Sequence, residues 1–212
     1  MYKKELEYYA HLMDEKGLVN SLEGNLSILD RENDTLYITP SGTRKSFLDA
    51  EKIAVMKDGE QVGGSVKRSS EYLLHEAALA ARPDCNAVAH IHAPYLTAYA
   101  YCGKSISLRC STTFALLFGE EIPCLPYGEA GTKEIAEGIG EALKDHDLVL
   151  LANHGVVAVG KTLEDACRII EAGEEVMKIY HIAREIGPVQ DIPEDKWHSL
   201  IENHPGSRKN AK

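Results

Sequence analysis

Nowhere does this chain approach the ~18 uninterrupted apolar residues that a membrane-spanning helix requires, so no membrane association is expected. Met1-Tyr2-Lys3-Lys4-Glu5 is not followed by the apolar segment of a signal peptide, and no secretory leader is expected. Basic residues are in the minority, 23 against 33 acidic ones, for a formal charge of −10, and they form no stripe. Nucleic-acid binding is thereby disfavoured, because its electrostatic footprint is missing. The five cysteines at 85, 102, 110, 124 and 167 show no paired spacing and no CxxC. An odd count without a leader predicts reduced thiols and a cytoplasmic protein. No internal stretch rich in Gly, Pro or Ser marks a domain boundary. What is present is a 212-residue chain, 44% apolar and 26% charged, enough to bury the core of one domain.

Leu6, Tyr9, Ala10 and Met13 recur at helical spacing and predict a first helix over 3–16, closed by Gly17. Two hairpins follow, 26–29 with 36–39 and 53–57 with 61–62, the second turning at Asp58-Gly59. Ser69 and Ser70 are expected to cap a helix over 71–81 that Arg82-Pro83-Asp84 ends. Residues 86–92 read as a buried strand, and Pro94 as the start of the next helix. The stretch 103–131 reads as loop with a short helix near Phe114, and Gly131-Thr132 leads into a helix ending near Lys144. Apolar strands at 148–152 and 156–159 flank Asn153-His154-Gly155, and a long amphipathic helix covers 163–185 before Gly187-Pro188. The polar tail from Pro205 is expected to be loose. Hairpins first, then alternating strands and helices, predict an α/β protein with a mixed sheet.

The sharpest local signal is His90-Ile91-His92. Side chains at i and i+2 share one face of a strand, so two imidazoles can converge on one ion while Ile91 enters the core. A catalytic zinc site normally takes three protein ligands and keeps one position open. His154 ends another apolar strand, and Gly155 allows a sharp turn beside a crowded site. Three histidines from two strand ends thus form a reasonable tripod. An isolated HxH also arises by chance, and a histidine in an Asn-His-Gly turn can simply bond backbone. His11, His146, His181, His198 and His204 fall on polar helix faces or in the tail and are expected to be solvated.

Glu71 opens the helix that follows Ser69-Ser70. A carboxylate is favoured there by the helix dipole, and a plain capping role is the simplest reading. The same helix start, with free amides and two hydroxyls, is also a natural phosphate cradle. Glycine turns at Gly24-Asn25 and Ser41-Gly42 could add to it. Four other motifs are excluded. A zinc deaminase needs His-x-Glu and Pro-Cys-x-x-Cys, whereas Tyr127 stands where the second cysteine belongs. Neither GxxxxGK[ST] nor a GxGxxG after a strand is present. Asn25-Leu26-Ser27 matches a glycosylation sequon by coincidence in a cytoplasmic chain.

In order, Gly24-Asn25-Leu26-Ser27, Ile38-Thr39-Pro40-Ser41-Gly42, Ser69-Ser70-Glu71 with His75, Arg82-Pro83-Asp84 and Ala87-Val88-Ala89-His90-Ile91-His92 form a recognisable set. It continues through Ile122-Pro123-Cys124-Leu125-Pro126-Tyr127, Gly131-Thr132 and Asn153-His154-Gly155. The set resembles the class II aldolase/adducin family, and within it the L-fuculose-1-phosphate aldolases. The resemblance implies a three-layer α/β/α fold with a central mixed, largely antiparallel sheet. It implies a single catalytic domain over 1–190, a C-terminal segment and flexible tail over 191–212, and a homotetramer with active sites between subunits. By the same resemblance His90, His92 and His154 hold one Zn²⁺ per subunit. Glu71 is acid/base and a fourth metal ligand when substrate is absent. Asn25, Ser41, Gly42, Ser69 and Ser70 hold the substrate phosphate, and His75 supports the helix. The implied reaction is reversible aldol cleavage of a ketose 1-phosphate, such as L-fuculose 1-phosphate, to dihydroxyacetone phosphate and a short aldehyde.

One departure stands out. Family members that cleave fuculose phosphate commonly present a tyrosine from a neighbouring subunit to the aldehyde oxygen. The matching stretch here, 105–114, contains none, and none follows Tyr180. Ser111 or Thr112 is left to position a water. The same scaffold resembles sugar-phosphate epimerases, dehydratases and decarboxylases, and the non-catalytic head of adducins.

Overall fold

The computed structural model describes residues 1–20 and 22–203, and its strands divide their side chains between two apolar faces. In chain order the elements are α1 (Tyr2–Glu15), β1 (Asn25–Asp30), β2 (Thr35–Ile38), β3 (Ala54–Lys57) and β4 (Glu60–Gly63). Next come α2 (Tyr72–Ala81), β5 (Ala87–Ile91), α3 (Pro94–Tyr101), α4 (Thr112–Phe118) and β6 (Cys124–Leu125). The chain then runs through α5 (Ile139–Asp145), β7 (Leu148–Leu151), β8 (Gly155–Gly160), α6 (Leu163–Ile186) and α7 (Glu194–Asn203). The strands form one sheet in the order β4-β3-β2-β1-β5-β8-β7-β6. β6 pairs with β7 in parallel, and every other neighbouring pair is antiparallel.

Every residue of β5, β7 and β8 is buried, as a sheet covered on both faces demands. Leu26, Ala89, Ile91, Leu150 and Ala158 pack on one side with residues from α1, α3, α4, α6 and α7. Val88, Val149, Val157 and Val159 pack on the other with Leu74 and Ala78 of α2 and Ile139 and Leu143 of α5. The result is the expected three-layer α/β/α arrangement. Arg82 explains the Arg-Pro-Asp motif structurally. Its guanidinium donates twice to Asp84, at 2.7 Å each, and once to Asp147, also at 2.7 Å. It thereby ties the end of α2 to the α5–β7 connection. No helix among the described residues is long and apolar enough to cross a membrane.

Two expectations need correction, and one element is new. The helix expected from Gly131 to Lys144 is broken: a short 3₁₀ turn ends at Ala136, and Gly138, at φ +76°, starts α5 afresh. A left-handed residue cannot continue a right-handed helix. The 103–131 stretch contains β6 besides its short helix. In the C-terminal segment α7 docks Trp197, fully buried, beside α4. His204 and the tail from Pro205 lie outside the described residues.

Candidate metal centre

β1, β5 and β8 lie side by side, with Asn25 opposite His90 and His90 opposite Val157. Leu26 and Ile91 face the core beneath α1 and α6, so Asn25 and His90 project toward α2. His90 is fully buried, and its Nδ1 hydrogen-bonds the Val156 carbonyl at 2.9 Å. The carbonyl can only accept, so Nδ1 carries the proton and Nε2 presents a lone pair. That Nε2 lies 2.9 Å from His154 Nε2, and the two rings stack with centroids 4.8 Å apart. His92, one residue beyond β5, turns its ring to the same place. One nitrogen from each of the three rings lies within 4.8 Å of the others. The chain beyond His92 is anchored by buried Glu174 of α6, whose carboxylate accepts the backbone N–H groups of Tyr95 and Leu96 at 2.9 and 3.0 Å.

The turn carrying His154 differs from expectation in one respect. Asn153 holds the left-handed conformation, at φ +58°, while Gly155 answers a packing constraint. A Cβ on Gly155 would stand 2.8 Å from the Ile91 carbonyl and 3.0 Å from the His92 ring.

Glu71 forms the N-cap of α2 and reaches the same cluster. Its Oε1 is 2.9 Å from His154 Nε2, and its Oε2 is 3.4 Å from His90 Nε2. Asn25 Nδ2 donates to Oε2 at 2.7 Å. Burial alone pushes the Glu71 carboxyl up. The close His154 nitrogen, the His90 ring and the Asn25 amide outweigh this and hold it below the usual carboxylate range. Burial pushes His90 down to about 4, and burial with the two neighbouring rings pushes His92 down to about 4. At neutral pH the site is therefore two neutral buried imidazoles, the His154 ring and an anionic carboxylate.

This donor set fits a divalent cation. Glu71 Oε1 is buried with only the His154 ring nitrogen beside it, and His92 Nδ1 is buried with Glu23 Oε1 at 3.5 Å. A buried carboxylate among converging imidazole nitrogens is costly to desolvate alone and favourable around a positive charge. Three imidazoles with a carboxylate suit Zn²⁺ chemistry.

The residues expected at the phosphate also come together, with a difference. Pro40 and Arg68 form an antiparallel bridge, and the Ser41 N–H donates to the Lys67 carbonyl at 2.9 Å. The Ser41-Gly42 turn, left-handed at Gly42, thus lies against the segment that leads into Ser69 and Ser70. The serines do not cap α2. The bridge precedes them, Ser70 lies in a turn, and the Ser69 hydroxyl accepts the Glu71 N–H at 3.2 Å. Asn25 turns its carboxamide toward Glu71 and His75. Lys45, 3% exposed in the same loop region, donates to the Thr43 carbonyl at 3.3 Å and was not singled out by the sequence. Ser111, left to position a water, caps α4 by accepting the Phe114 N–H at 3.2 Å. His11 is not simply solvated either, since its Nε2 hydrogen-bonds the Leu48 carbonyl at 2.7 Å.

Sequence reading also missed the partners of His75, which joins Ser27 to Asn25. The signal was available: Asn25 and Ser27 are two apart on a strand, and Glu71 and His75 are four apart at a helix start.

Comparison with known proteins agrees with this geometry. The 5-deoxy-D-ribulose 1-phosphate aldolase of Bacillus thuringiensis is 32% identical over 206 residues, covering 96% of this chain and 95% of that protein. The 3-oxo-tetronate 4-phosphate decarboxylase of Escherichia coli is 32% identical, covering 85% and 86%. Among solved structures, an L-fuculose 1-phosphate aldolase superposes with a TM-score of 0.85 at 32% identity, covering 95% of this chain and 94% of that one. Residues 4–181 match the family described as Class II Aldolase and Adducin N-terminal domain, and the chain belongs to the class II aldolase superfamily.

Proposed function

We propose that the chain is a zinc-dependent lyase that reversibly cleaves a ketose 1-phosphate, L-fuculose 1-phosphate or a similar sugar, to dihydroxyacetone phosphate and a short aldehyde. One Zn²⁺ per subunit, held by His90, His92 and His154, would supply Lewis acidity at the substrate carbonyl, worth several kcal/mol of transition-state stabilisation. Glu71 holds and moves the proton on the carbon beside that carbonyl, and completes the ligand set when substrate is absent. It is anionic at neutral pH, as a proton acceptor must be. Positioned acid–base groups of this kind typically contribute about 10²- to 10⁴-fold.

Ser41, Gly42, Ser69 and Ser70, with the second Nδ2 hydrogen of Asn25, bind the substrate phosphate. The N-terminus of α2 favours an anion there despite the acidic composition. Binding the phosphate fixes the reacting carbon and contributes remote binding energy. The reading includes a homotetramer with sites between subunits. It also places the protein in the cytoplasm, supported by its five free cysteines.

The observation that carries the reading is the buried Glu71 carboxylate, its Oε1 2.9 Å from His154 Nε2, beside three converging imidazoles. A second reading, a decarboxylase or dehydratase using the same groups, is favoured by one feature: no tyrosine occurs in 105–114 to serve the aldehyde oxygen. An adducin-like module has no use for the imidazole cluster. The test is a panel assay on protein of verified zinc content. L-fuculose 1-phosphate and 5-deoxy-D-ribulose 1-phosphate are supplied, and dihydroxyacetone phosphate is coupled to a reductase. Product formation supports the aldolase. No product, with carbon dioxide released from 3-oxo-tetronate 4-phosphate, supports the second reading instead.

A further inference from the structure

Behind Glu71, away from the three imidazoles, four side chains form an unbroken hydrogen-bonded line. Ser27 Oγ lies 2.6 Å from His75 Nδ1, His75 Nε2 bonds Asn25 Oδ1, and Asn25 Nδ2 donates to Glu71 Oε2 at 2.7 Å. Ser27 and His75 are fully buried, and Asn25 is 6% exposed. Two short-range spacings build the line. Asn25 and Ser27 alternate onto the α2-facing side of β1, while Glu71 and His75 stand one turn apart at the start of α2.

Every proton in the line has one direction. A carboxylate only accepts, so the Asn25 carboxamide must turn its NH₂ to Glu71 and its oxygen to His75. That oxygen also only accepts, so His75 must carry a proton on Nε2. Nδ1 of the neutral ring is then an acceptor, and Ser27 must donate to it. The opposite tautomer would aim a lone pair at Asn25 Oδ1 and drive the carboxamide to flip. Its carbonyl would then face the carboxylate, a contact that is strongly unfavourable inside a protein.

We propose that Ser27 and His75 are positioning residues: they lock the Asn25 carboxamide with its N–H toward Glu71 and so keep Oε1 aimed at the imidazole cluster. The catalytic consequence rests on Glu71 being the proton-transfer group; the lock itself does not. Ser27 and His75 touch no reacting atom, and their function is orientation, which hydrogen-bonded networks achieve by removing alternatives.

The test combines spectroscopy with kinetics on the full chain. ¹⁵N-histidine NMR of the metal-free and zinc-loaded protein, with the His75 signals identified by their loss in His75→Gln, should show His75 as the neutral Nε2–H tautomer in both. An Nδ1–H tautomer overturns the proposal whatever the activity. His75→Leu should lower kcat by about tenfold or more at unchanged zinc content, the scale expected when a buried hydrogen-bond donor is lost. His75→Gln, whose amide N–H can still serve Asn25 Oδ1, should recover most of that loss, and Ser27→Ala should lose about two- to tenfold. Equal losses in His75→Leu and His75→Gln would point to packing alone and overturn the proposal, as would wild-type kcat in a folded His75→Leu. Should either His75 variant fail to fold, the wild-type tautomer, then identified from the Ser27→Ala shift, still decides. A wild type that cleaves no sugar phosphate yet shows Nε2–H at His75 removes the aldolase reading and leaves the lock standing.

Discussion

His90 Nδ1 donates to the backbone carbonyl of Val156 at 2.9 Å, and this bond decides which nitrogen of the ring faces the site. Val156 belongs to β8, the neighbour of β5 in the sheet. A carbonyl on one strand thus sets the tautomer of a ring on the next, as the outer partners of metal-binding histidines generally do. With Nδ1 occupied, Nε2 is left toward His154 and Glu71, and the sheet itself preorganises the donor set.

Removing one ring should dissolve the site. His92→Ala is expected to release the metal and abolish turnover, and a strong chelator should do the same to the wild type until zinc is restored. Metal content by atomic absorption alongside activity checks this, and full activity at normal metal content in His92→Ala would exclude His92 as a ligand.

Glu71→Gln keeps the shape and removes the base. Zinc content should be retained, and turnover should fall by about 10²-fold or more, the usual scale for losing a general acid–base group. Steady-state kinetics on the metal-verified variant measures it, and a wild-type rate would refute the role given to Glu71.

Gly155 and Gly140 should respond in opposite ways to alanine. A Cβ on Gly155 meets the Ile91 carbonyl at 2.8 Å and the His92 ring at 3.0 Å, whereas one on Gly140 meets only Ala81 Cβ at 3.5 Å. Gly155→Ala should cost about 1–3 kcal/mol of stability by overpacking, and about 10- to 100-fold in metal affinity by displacing a ligand. Gly140→Ala, inside α5, should be neutral or stabilising by up to about 1 kcal/mol. Denaturant melts and zinc titrations of both variants make the comparison.

The metal-free protein should lose stability as the pH falls from about 6.5 toward 4. Burial holds His75 and His90 down to about 4 in the fold, against about 6.5 in an unfolded chain. Between those values the unfolded state binds more protons, so unfolding becomes easier as pH decreases. Glu71, held below its usual range, extends the same trend to lower pH. Urea midpoints of metal-free wild type and His75→Gln across this window should show a flatter profile for the variant, and parallel profiles would contradict the assignment.

Much of this was legible in the sequence because the informative residues carry short-range patterns. Near-continuous apolar runs at 87–91, 148–151 and 155–160 mark strands buried on both faces, and His90-Ile91-His92 places two rings at one strand end. The break at Gly138 was hidden because glycine is tolerated in a helix pattern, and only its positive φ forces the stop. α7 was missed because its short apolar set, Trp197, Leu200 and Ile201, lies in a polar segment, and the pocket it fills beside α4 forms only in the folded chain. The roles of Asn25 and His75 were obscured for a related reason. Asn25 meets Glu71, 46 positions away, because β1 inserts beside β5, and that pairing is a property of the topology rather than of any local motif.

The central claim is that His90, His92 and His154 surround one divalent cation with Glu71 beside it. Anomalous diffraction at the zinc edge, on crystals of protein purified without chelator, addresses it directly. The account predicts one peak per chain, about 2.0–2.1 Å from a ring nitrogen of each of the three histidines, and none in crystals of His92→Ala. A peak at other residues, or three rings turned away from a common centre in the wild type, would contradict it.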